Sequence, residues 1–161
     1  SLPQGINLRI SYWWAYPFLS ICSLIILEKI ELRPHTQPAF ELQRDYGLRA
    51  NASTHINLDK QLIGNTLSYQ EKGGKWSEKE LSPSLVSKLK ENAPGGKYEV
   101  NNRTYSRELK KEIEKTGQVY NGTHGIRHSY AQKCLENGMG KSEVSQEMGH
   151  TRAEITNIYL R

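Results

Sequence analysis

Residues 123–130 read Thr-His-Gly-Ile-Arg-His-Ser-Tyr, and the rest of the chain is best understood from this stretch. Thr123 is of a residue type that caps helix N-termini, and the positions after it suit a helix. Gly138 stands where that helix should end, because glycine accepts the left-handed conformation that commonly follows a helix. The stretch therefore predicts a helix from about Thr123 to Asn137.

Three polar side chains can share one face of this predicted helix. His124 lies three residues before Arg127 and four before His128, and these spacings place side chains on the same side of an α-helix. Arginine presents a planar set of N–H donors and stays charged, and histidine adds further donors. The face therefore suits a phosphate group.

The C-terminal part of the chain adds two residues at set offsets. His150, in a Gly-His pair, follows Arg127 by 23 residues, and Tyr159 follows His150 by nine. These residues in this order resemble the catalytic domain of the tyrosine recombinases, the phage-integrase family. The signature of that family is His-x-x-Arg, then Gly-His, then a tyrosine nucleophile nine residues further on. Taken singly, His150 or Tyr159 would most simply be a packing residue, but the combined spacing is far more specific.

The resemblance implies two further cations upstream. The Gly-Leu-Arg setting of the first arginine occurs at residues 47–49, which makes Arg49 the counterpart. The lysine of the β-hairpin is matched by Lys72, whose simplest other interpretation is a solvated turn lysine. One position departs from the family pattern, because Ala52 stands where an acidic residue usually follows the first arginine by three residues. Losing that carboxylate removes a charge partner for Arg49.

The resemblance implies a site-specific recombinase, or integrase, that cleaves and rejoins DNA through a 3′-phosphotyrosyl intermediate without a metal or nucleotide cofactor. A tyrosine hydroxyl has a pKa near ~10 and attacks poorly at neutral pH unless its proton is removed. Tyr159 is then the nucleophile, His124 the base, and Lys72 the acid for the leaving 5′ oxygen. Two arginines and a histidine hold the phosphate oxygens, where negative charge develops. The implied catalytic residues are Arg49, Lys72, His124, Arg127, His150 and Tyr159.

Double-stranded DNA is the partner that the resemblance implies. Further DNA contacts are expected from Lys75, His128 and Arg152, although His128 suits core packing equally well. Family members work as tetramers on paired sites, so a homo-oligomer of this kind is expected on DNA. The resemblance also implies a cytoplasmic, nucleoid-associated protein of a prokaryote or a phage, with no membrane partner.

Two other interpretations compete with the recombinase. His124 and His128 have the spacing of zinc-binding helices, but the zinc-protease pattern needs glutamate directly after the first histidine, and Gly125 stands there. Arg127 would also repel a cation. The second alternative is a catalytically weak or inactive DNA-binding module derived from a recombinase, and the departure at Ala52 keeps it open.

The composition sets wider limits. The chain has 161 residues, enough for one domain with a hydrophobic core. Its 22 lysines and arginines against 17 acidic residues give a net charge of +5, which permits an anionic partner without proving one. Cys22 and Cys134 form no CxxC pair, which indicates two reduced cysteines. The apolar run at 12–27 is interrupted by Pro17 and is short for a membrane span, so we expect a buried helix or an interface.

The pattern of elements predicts a mostly helical α+β fold, with helices around a small antiparallel sheet. The resemblance implies the DNA breaking-rejoining fold of the tyrosine recombinase catalytic domain. Residues 1–18 are expected to be a linker or the remnant of a preceding region, and residues 19–161 the catalytic domain, truncated just after the nucleophile. The expected helices lie near 21–30, 36–46, 50–55, 82–93, 104–115, 123–137, 144–148 and around Tyr159, and the expected hairpin pairs 62–69 with 76–81 through a turn at the paired glycines 73–74. On the 104–115 helix, Tyr105, Leu109 and Ile113 form an apolar stripe, and the charged run 107–115 is expected to be its solvated face.

Overall fold

A computed structural model of the chain describes residues 25–120 and 122–148, without the side chain of His124. The expected site residues His150, Arg152 and Tyr159 lie outside the described residues. So do the expected linker 1–18, Cys22 and the final predicted helix.

The described residues form helices of three to fourteen residues and five short strands. The helices are α1 (Gln37–Tyr46), α2 (Ala50–Thr54), α3 (Leu58–Gln61), α4 (Pro83–Glu91), α5 (Asn102–Lys115), α6 (Thr123–Glu136) and α7 (Lys141–Glu147), and residues 25–29 and Pro94–Gly96 are also helical. The strands are β1 (His55–Asn57), β2 (Leu62–Ile63), β3 (Thr66–Gln70), β4 (Trp76–Glu80) and β5 (Lys97–Glu99).

The predicted fold class, mostly helical α+β with small antiparallel pairing, is confirmed. Strands β2, β3 and β4 form one antiparallel sheet, and β1 and β5 form a second that the sequence did not predict. Both strands of the second sheet have three residues, too few for an alternating pattern to show. The helix after Arg49 ends at Thr54, one residue earlier than predicted, because His55 pairs with Glu99 across this sheet.

The predicted hairpin is present between β3 and β4 and runs in register from Thr66 opposite Glu80 to Gln70 opposite Trp76. The predicted first strand, 62–69, is divided into β2 and β3, which pair with each other. Alternation along β3 places Leu67 and Tyr69 in the core. The turn at 71–75 contains two adjacent glycines with φ of 94° and 90°, conformations that other residues rarely adopt. The hairpin therefore ends in a tight turn, as the paired glycines predicted.

Helix α1 ends at a glycine that the packing also requires. Gly47 has φ of 73°, and its N–H bonds the carbonyls of the last turn, as expected for a left-handed C-cap. A Cβ at this position would collide with the Tyr130 ring of α6. Gly47 thus lets α6 approach the end of α1, and the chain then passes through fully buried Leu48 to Arg49.

Helix α5 begins earlier than predicted, and helix α6 has a different N-cap from the one predicted. Helix α5 starts at Asn102, because the Asn101 side chain accepts hydrogen bonds from the N–H groups of Arg103 and Thr104 at 2.9 and 3.1 Å. In α6 the cap is Gly122, and Thr123 is the first helical residue rather than the N-cap. Gly138, with φ of 90°, follows the end of α6 as predicted.

Two hydrophobic clusters hold these elements together. The larger cluster joins α1, α4, α5 and the strands, and includes the predicted stripe of Tyr105, Leu109 and Ile113 on α5. The smaller lies between α6 and α7 and contains Cys134 and Val144. Within residues 25–120 and 122–148, no helix is long and apolar enough to cross a membrane.

Candidate functional site

The predicted second arginine, Arg127, joins three segments. Its side chain lies in the second turn of α6 and is 3% exposed. Nη1 donates a hydrogen bond to the carbonyl of Gly47, and Nη2 donates to the carbonyl of Met148 at 2.9 Å. Met148 directly precedes the Gly149-His150 pair in the sequence. Arg127 therefore holds the end of α1 and the end of α7 in a fixed relation to its own guanidinium.

The predicted first arginine, Arg49, lies at the N-terminal end of α2 and is partly buried. Its Nε is buried and has no hydrogen-bond acceptor among the described residues. Nor does any described carboxylate form an ion pair with it. No described carboxylate thus neutralises the Arg49 charge, and a partly buried guanidinium without a counter-charge favours a bound anion.

The two arginines line one cavity, although they are 78 residues apart in the sequence. This arginine cavity has a volume of about 260 Å³. A water molecule takes about 30 Å³ of liquid, so a phosphate group and several waters fit the space. Its lining residues are Gln43, Arg49, Ala50, Asn51, Thr123 and Arg127.

A buried chain of hydrogen bonds fixes the backbone that leads into Arg49. The hydroxyl of Tyr105 donates to Gln43 Oε1 at 2.6 Å, and Gln43 Nε2 donates to the carbonyl of Leu48 at 3.2 Å. Burial raises the pKa of Tyr105 well above its ordinary value, so this hydroxyl remains a donor at all accessible pH. The sequence did not indicate Gln43, because its partners come from α5 and from the turn after α1.

Helix α2 is tied to α5 on the other side of Arg49. Asn102 Nδ2 donates to Asn51 Oδ1 at 2.5 Å, and the Thr54 hydroxyl donates to Asn102 Oδ1 at 2.6 Å. Ala52, at the position of the usual acidic residue, is partly buried and packs against the larger hydrophobic cluster. Neutral amides of α2 and α5 thus hold the helix that carries Arg49, in a chain that lacks the carboxylate usual at position 52.

The hairpin lysines lie apart from the arginine cavity. Lys72 and Lys75 are both exposed in the turn between β3 and β4, and neither is among the lining residues. The turn is closed by hydrogen bonds from Glu71 N to Lys75 O at 2.6 Å and from Gly74 N to Glu71 O at 3.1 Å. The structure therefore presents both lysines to solvent at the end of the hairpin.

The structure describes the backbone of His124 without its side chain, and His128 in full. His124 belongs to the first turn of α6, three residues before Arg127, so the predicted spacing on one helix holds for its backbone. The His128 ring is 3% exposed and is not among the residues that line the cavity. Its position favours the packing interpretation over direct contact with a phosphate. No cluster of three or more metal-ligating side chains occurs among the described residues.

A second polar cluster anchors α7 to the sheet, and sequence reasoning missed it. Lys79 of β4 forms an ion pair with Glu147 of α7, and the Tyr130 hydroxyl donates to Glu147 Oε1 at 2.7 Å. Burial alone would raise the pKa of Glu147, but the hydrogen bonds from Lys79 and Tyr130 outweigh it and lower the pKa. Burial also raises the pKa of the neighbouring Cys134 thiol. This cluster sets the end of α7, where the carbonyl of Met148 meets Arg127.

Comparison with protein families gives a match over most of the chain. Residues 34–161 match the family model described as the phage integrase family. A tyrosine recombinase XerC-like protein of Caldanaerobacter subterraneus subsp. tengcongensis is 43% identical over 51 residues, which are 31% of this chain and 13% of that protein.

Solved structures share the fold at low sequence identity. The XerH site-specific recombinase in a post-cleavage complex with a palindromic difH substrate aligns with a TM-score of 0.69 and 20% identity, covering 89% of this chain and 48% of that one. The XerA recombinase aligns with a TM-score of 0.67 and 17% identity, covering 100% of this chain and 61% of that one. The integrase from mycobacterium phage Brujita aligns with a TM-score of 0.62 and 18% identity, covering 99% of this chain and 57% of that one. This chain thus spans roughly half of the length of these proteins.

Proposed function

Because the chain belongs to the phage integrase family of tyrosine recombinases, we propose that it cleaves and rejoins DNA at specific sites through a covalent tyrosine–phosphate link. One observation carries the proposal. The two arginines that the reaction needs line a single cavity large enough for a phosphate group, and no described carboxylate pairs with Arg49. Both guanidinium groups stay charged at any accessible pH, so the cavity selects an anion.

The arginine cavity holds the non-bridging oxygens of the scissile phosphate. Negative charge grows on these oxygens as the pentavalent transition state forms, and fixed donors stabilise it without having to reorganise. The two carbonyls bound by Arg127 and the hydrogen-bonded turn before Arg49 supply that rigidity. Loss of one such donor typically costs on the order of 3–4 kcal/mol of transition-state stabilisation.

Bond making and breaking then follow at the phosphorus. The Tyr159 oxygen attacks phosphorus as His124 takes its proton, and a Tyr–O–P bond replaces the bond between phosphorus and the 5′ oxygen of the leaving strand. Lys72 protonates that 5′ oxygen, and His150 adds a donor to the phosphate. The product is a 3′-phosphotyrosyl link, which stores the bond energy for attack by another 5′-hydroxyl. No metal or nucleotide takes part.

The substrate is double-stranded DNA, and four copies of the protein assemble as a homotetramer on two paired DNA sites. The fold relative XerH was solved with DNA in pre- and post-cleavage complexes, which supports DNA as the substrate of this chain also. The net charge of +5 favours the same partner. The bacterial and phage sources of the similar proteins support action on chromosomal or phage DNA in a prokaryotic cytoplasm.

The test is capture of the covalent intermediate by the 161-residue chain. A pool of duplexes with a randomised centre, each nicked so that the short 5′-hydroxyl strand is lost after cleavage, is incubated with the protein in the presence of EDTA. We expect a protein–DNA complex that resists denaturant, and mass spectrometry of its tryptic peptides should find the nucleotide on Tyr159.

The matched control is Tyr159→Phe, which removes one oxygen and keeps the ring. We expect DNA binding close to that of the wild type and no covalent complex. Covalent complex from the Phe variant would show that another residue is the nucleophile. Wild-type protein that binds DNA but never becomes linked to it would instead support the inactive DNA-binding module.

A further inference from the structure

A second and larger cavity adjoins the arginine cavity. Its volume is about 610 Å³, and three cationic residues of α5, Arg103, Arg107 and Lys110, lie along it. It shares the lining residues Ala50 and Thr123 with the arginine cavity, so the two spaces meet at the start of α2 and the start of α6. We refer to this second space as the α5 groove.

The three cations form a continuous stripe along α5. They are spaced four and three residues apart, which places them on one helix face. The opposite face is the buried stripe of Tyr105 and Leu109 in the hydrophobic cluster. The packing of the helix therefore turns the face that carries the cationic stripe toward solvent.

Protein carboxylates neutralise little of this charge. Among the described residues, neither Arg103 nor Arg107 forms an ion pair. Lys110 lies 4.0 Å from Glu114, but both side chains are more than half exposed, so the pair contributes little. Like charges at these spacings destabilise a helix slightly. A stripe of this kind, open along a groove, is suited to an anion from outside the chain.

We propose that the α5 groove binds the DNA phosphates next to the scissile phosphate on the same strand. This rests on the proposed function, in which the scissile phosphate occupies the arginine cavity. The shared lining at Ala50 and Thr123 lets one phosphodiester chain run from the first space into the second. The larger volume of the groove leaves room for more than one linkage. Repeated cations match the repeated charge of a DNA strand.

The first arm of the test compares charge-matched double variants. Arg103→Gln with Arg107→Gln removes two charges from the groove, and Lys111→Gln with Lys115→Gln removes two from exposed positions on the same helix that do not line it. Dissociation constants of the 161-residue chain for a duplex are measured from low to high salt. We expect the groove variant to bind about tenfold or more weakly. The slope of log K against log salt should fall by about 2.

Equal losses in the two double variants would overturn the proposal, because the effect would then follow net charge alone. Circular dichroism and thermal melting of each variant confirm that all of them are folded. The slope measures non-covalent binding only, so it tests the groove even if the wild type never forms a covalent complex.

The second arm locates the phosphate. Single linkages of a captured duplex are replaced one at a time with neutral methylphosphonates. We expect a neutral linkage adjacent to the cleavage point to weaken binding by the wild type about tenfold and to have little effect on the variant that lacks Arg103 and Arg107. The same loss in both proteins at every linkage near the cleavage point would overturn the assignment.

Discussion

Arg127 and the Lys72 hairpin are both expected to act on one phosphodiester, yet their surroundings are opposite. Arg127 is 3% exposed and donates to backbone carbonyls from two other segments. Lys72 is exposed in a turn and does not line the arginine cavity. A clamp for developing charge works best with donors fixed in advance, whereas a proton donor needs only to reach the leaving oxygen once DNA is bound.

The contrast predicts that changes in the two regions differ in their effect on folding. Removing the buried group should cost both stability and activity. Removing the exposed group should cost activity alone. The expected loss of folding free energy is largest for Arg127→Ala, intermediate for Lys79→Met and smallest for Lys72→Ala.

Arg127→Ala should have the largest effect. It removes the two hydrogen bonds that join α6 to Gly47 and Met148, and leaves both carbonyls without that donor. We expect the free energy of unfolding to fall by about 3 kcal/mol or more, as for other broken buried charge networks. Urea denaturation measures this loss. DNA binding and covalent-complex formation should both decline, with cleavage declining more.

Arg33→Ala is the matched control for loss of an arginine. The Arg33 side chain is 69% exposed and pairs with Glu108 at 3.2 Å. Exposed pairs of this kind contribute about 1 kcal/mol or less. If Arg127→Ala were no more destabilising than Arg33→Ala, the guanidinium would not be the structural tie between α1 and α7 that its contacts indicate.

Lys79→Met should have an intermediate effect that depends on pH. The pKa of Glu147 lies below its ordinary value because Lys79 and Tyr130 donate to it, in spite of burial. This contribution to stability is complete above the unfolded pKa of about 4.3 and is lost as the pH falls through the lower folded pKa. We expect the variant to be less stable at neutral pH by about 1 kcal/mol and to approach the wild type in acid.

Melting temperatures of both proteins from neutral pH down to about pH 3 would follow this change. Lys97→Met, an exposed strand lysine, provides the comparison for loss of a lysine. A difference between wild type and Lys79→Met that stayed constant over the whole range would place the effect in packing rather than in the ion pair.

Local signals predicted much of this fold. The four-residue spacing of Tyr105, Leu109 and Ile113 predicted helix α5, because this spacing places the three side chains on one helix face. The paired glycines predicted the hairpin turn. Gly138 likewise marked the end of α6. Each of these features depends on residues within a few positions of one another. The β1–β5 sheet was missed because its pairing joins segments about forty residues apart through strands too short for a pattern.

The candidate site shows the same division. The resemblance to the tyrosine recombinases identified Arg49 and Arg127 as partners, and the structure brings them to one cavity. What holds them could not be predicted, because Gln43 and Asn102 act through contacts with distant elements. The charged face of α5 was expected to be merely solvated. Its place beside the arginine cavity emerges only when α5, α2 and α6 pack together.

Lys72→Ala should have the smallest effect on folding and still a large one on the reaction. The side chain is exposed in the turn, and surface changes of this kind usually stay within about ±0.5 kcal/mol. We expect covalent-complex formation to slow by about 100-fold or more, as for loss of a general acid. A substrate with sulfur in place of the leaving 5′ oxygen should restore the rate, because a thiolate needs no proton to leave, thiols having pKa values near 8.5. Lys75→Ala, in the same turn, should leave the rates on the two substrates in their wild-type ratio. If sulfur gave Lys72→Ala no advantage over the wild type, the lysine would contribute charge to the complex and not a proton to the leaving group.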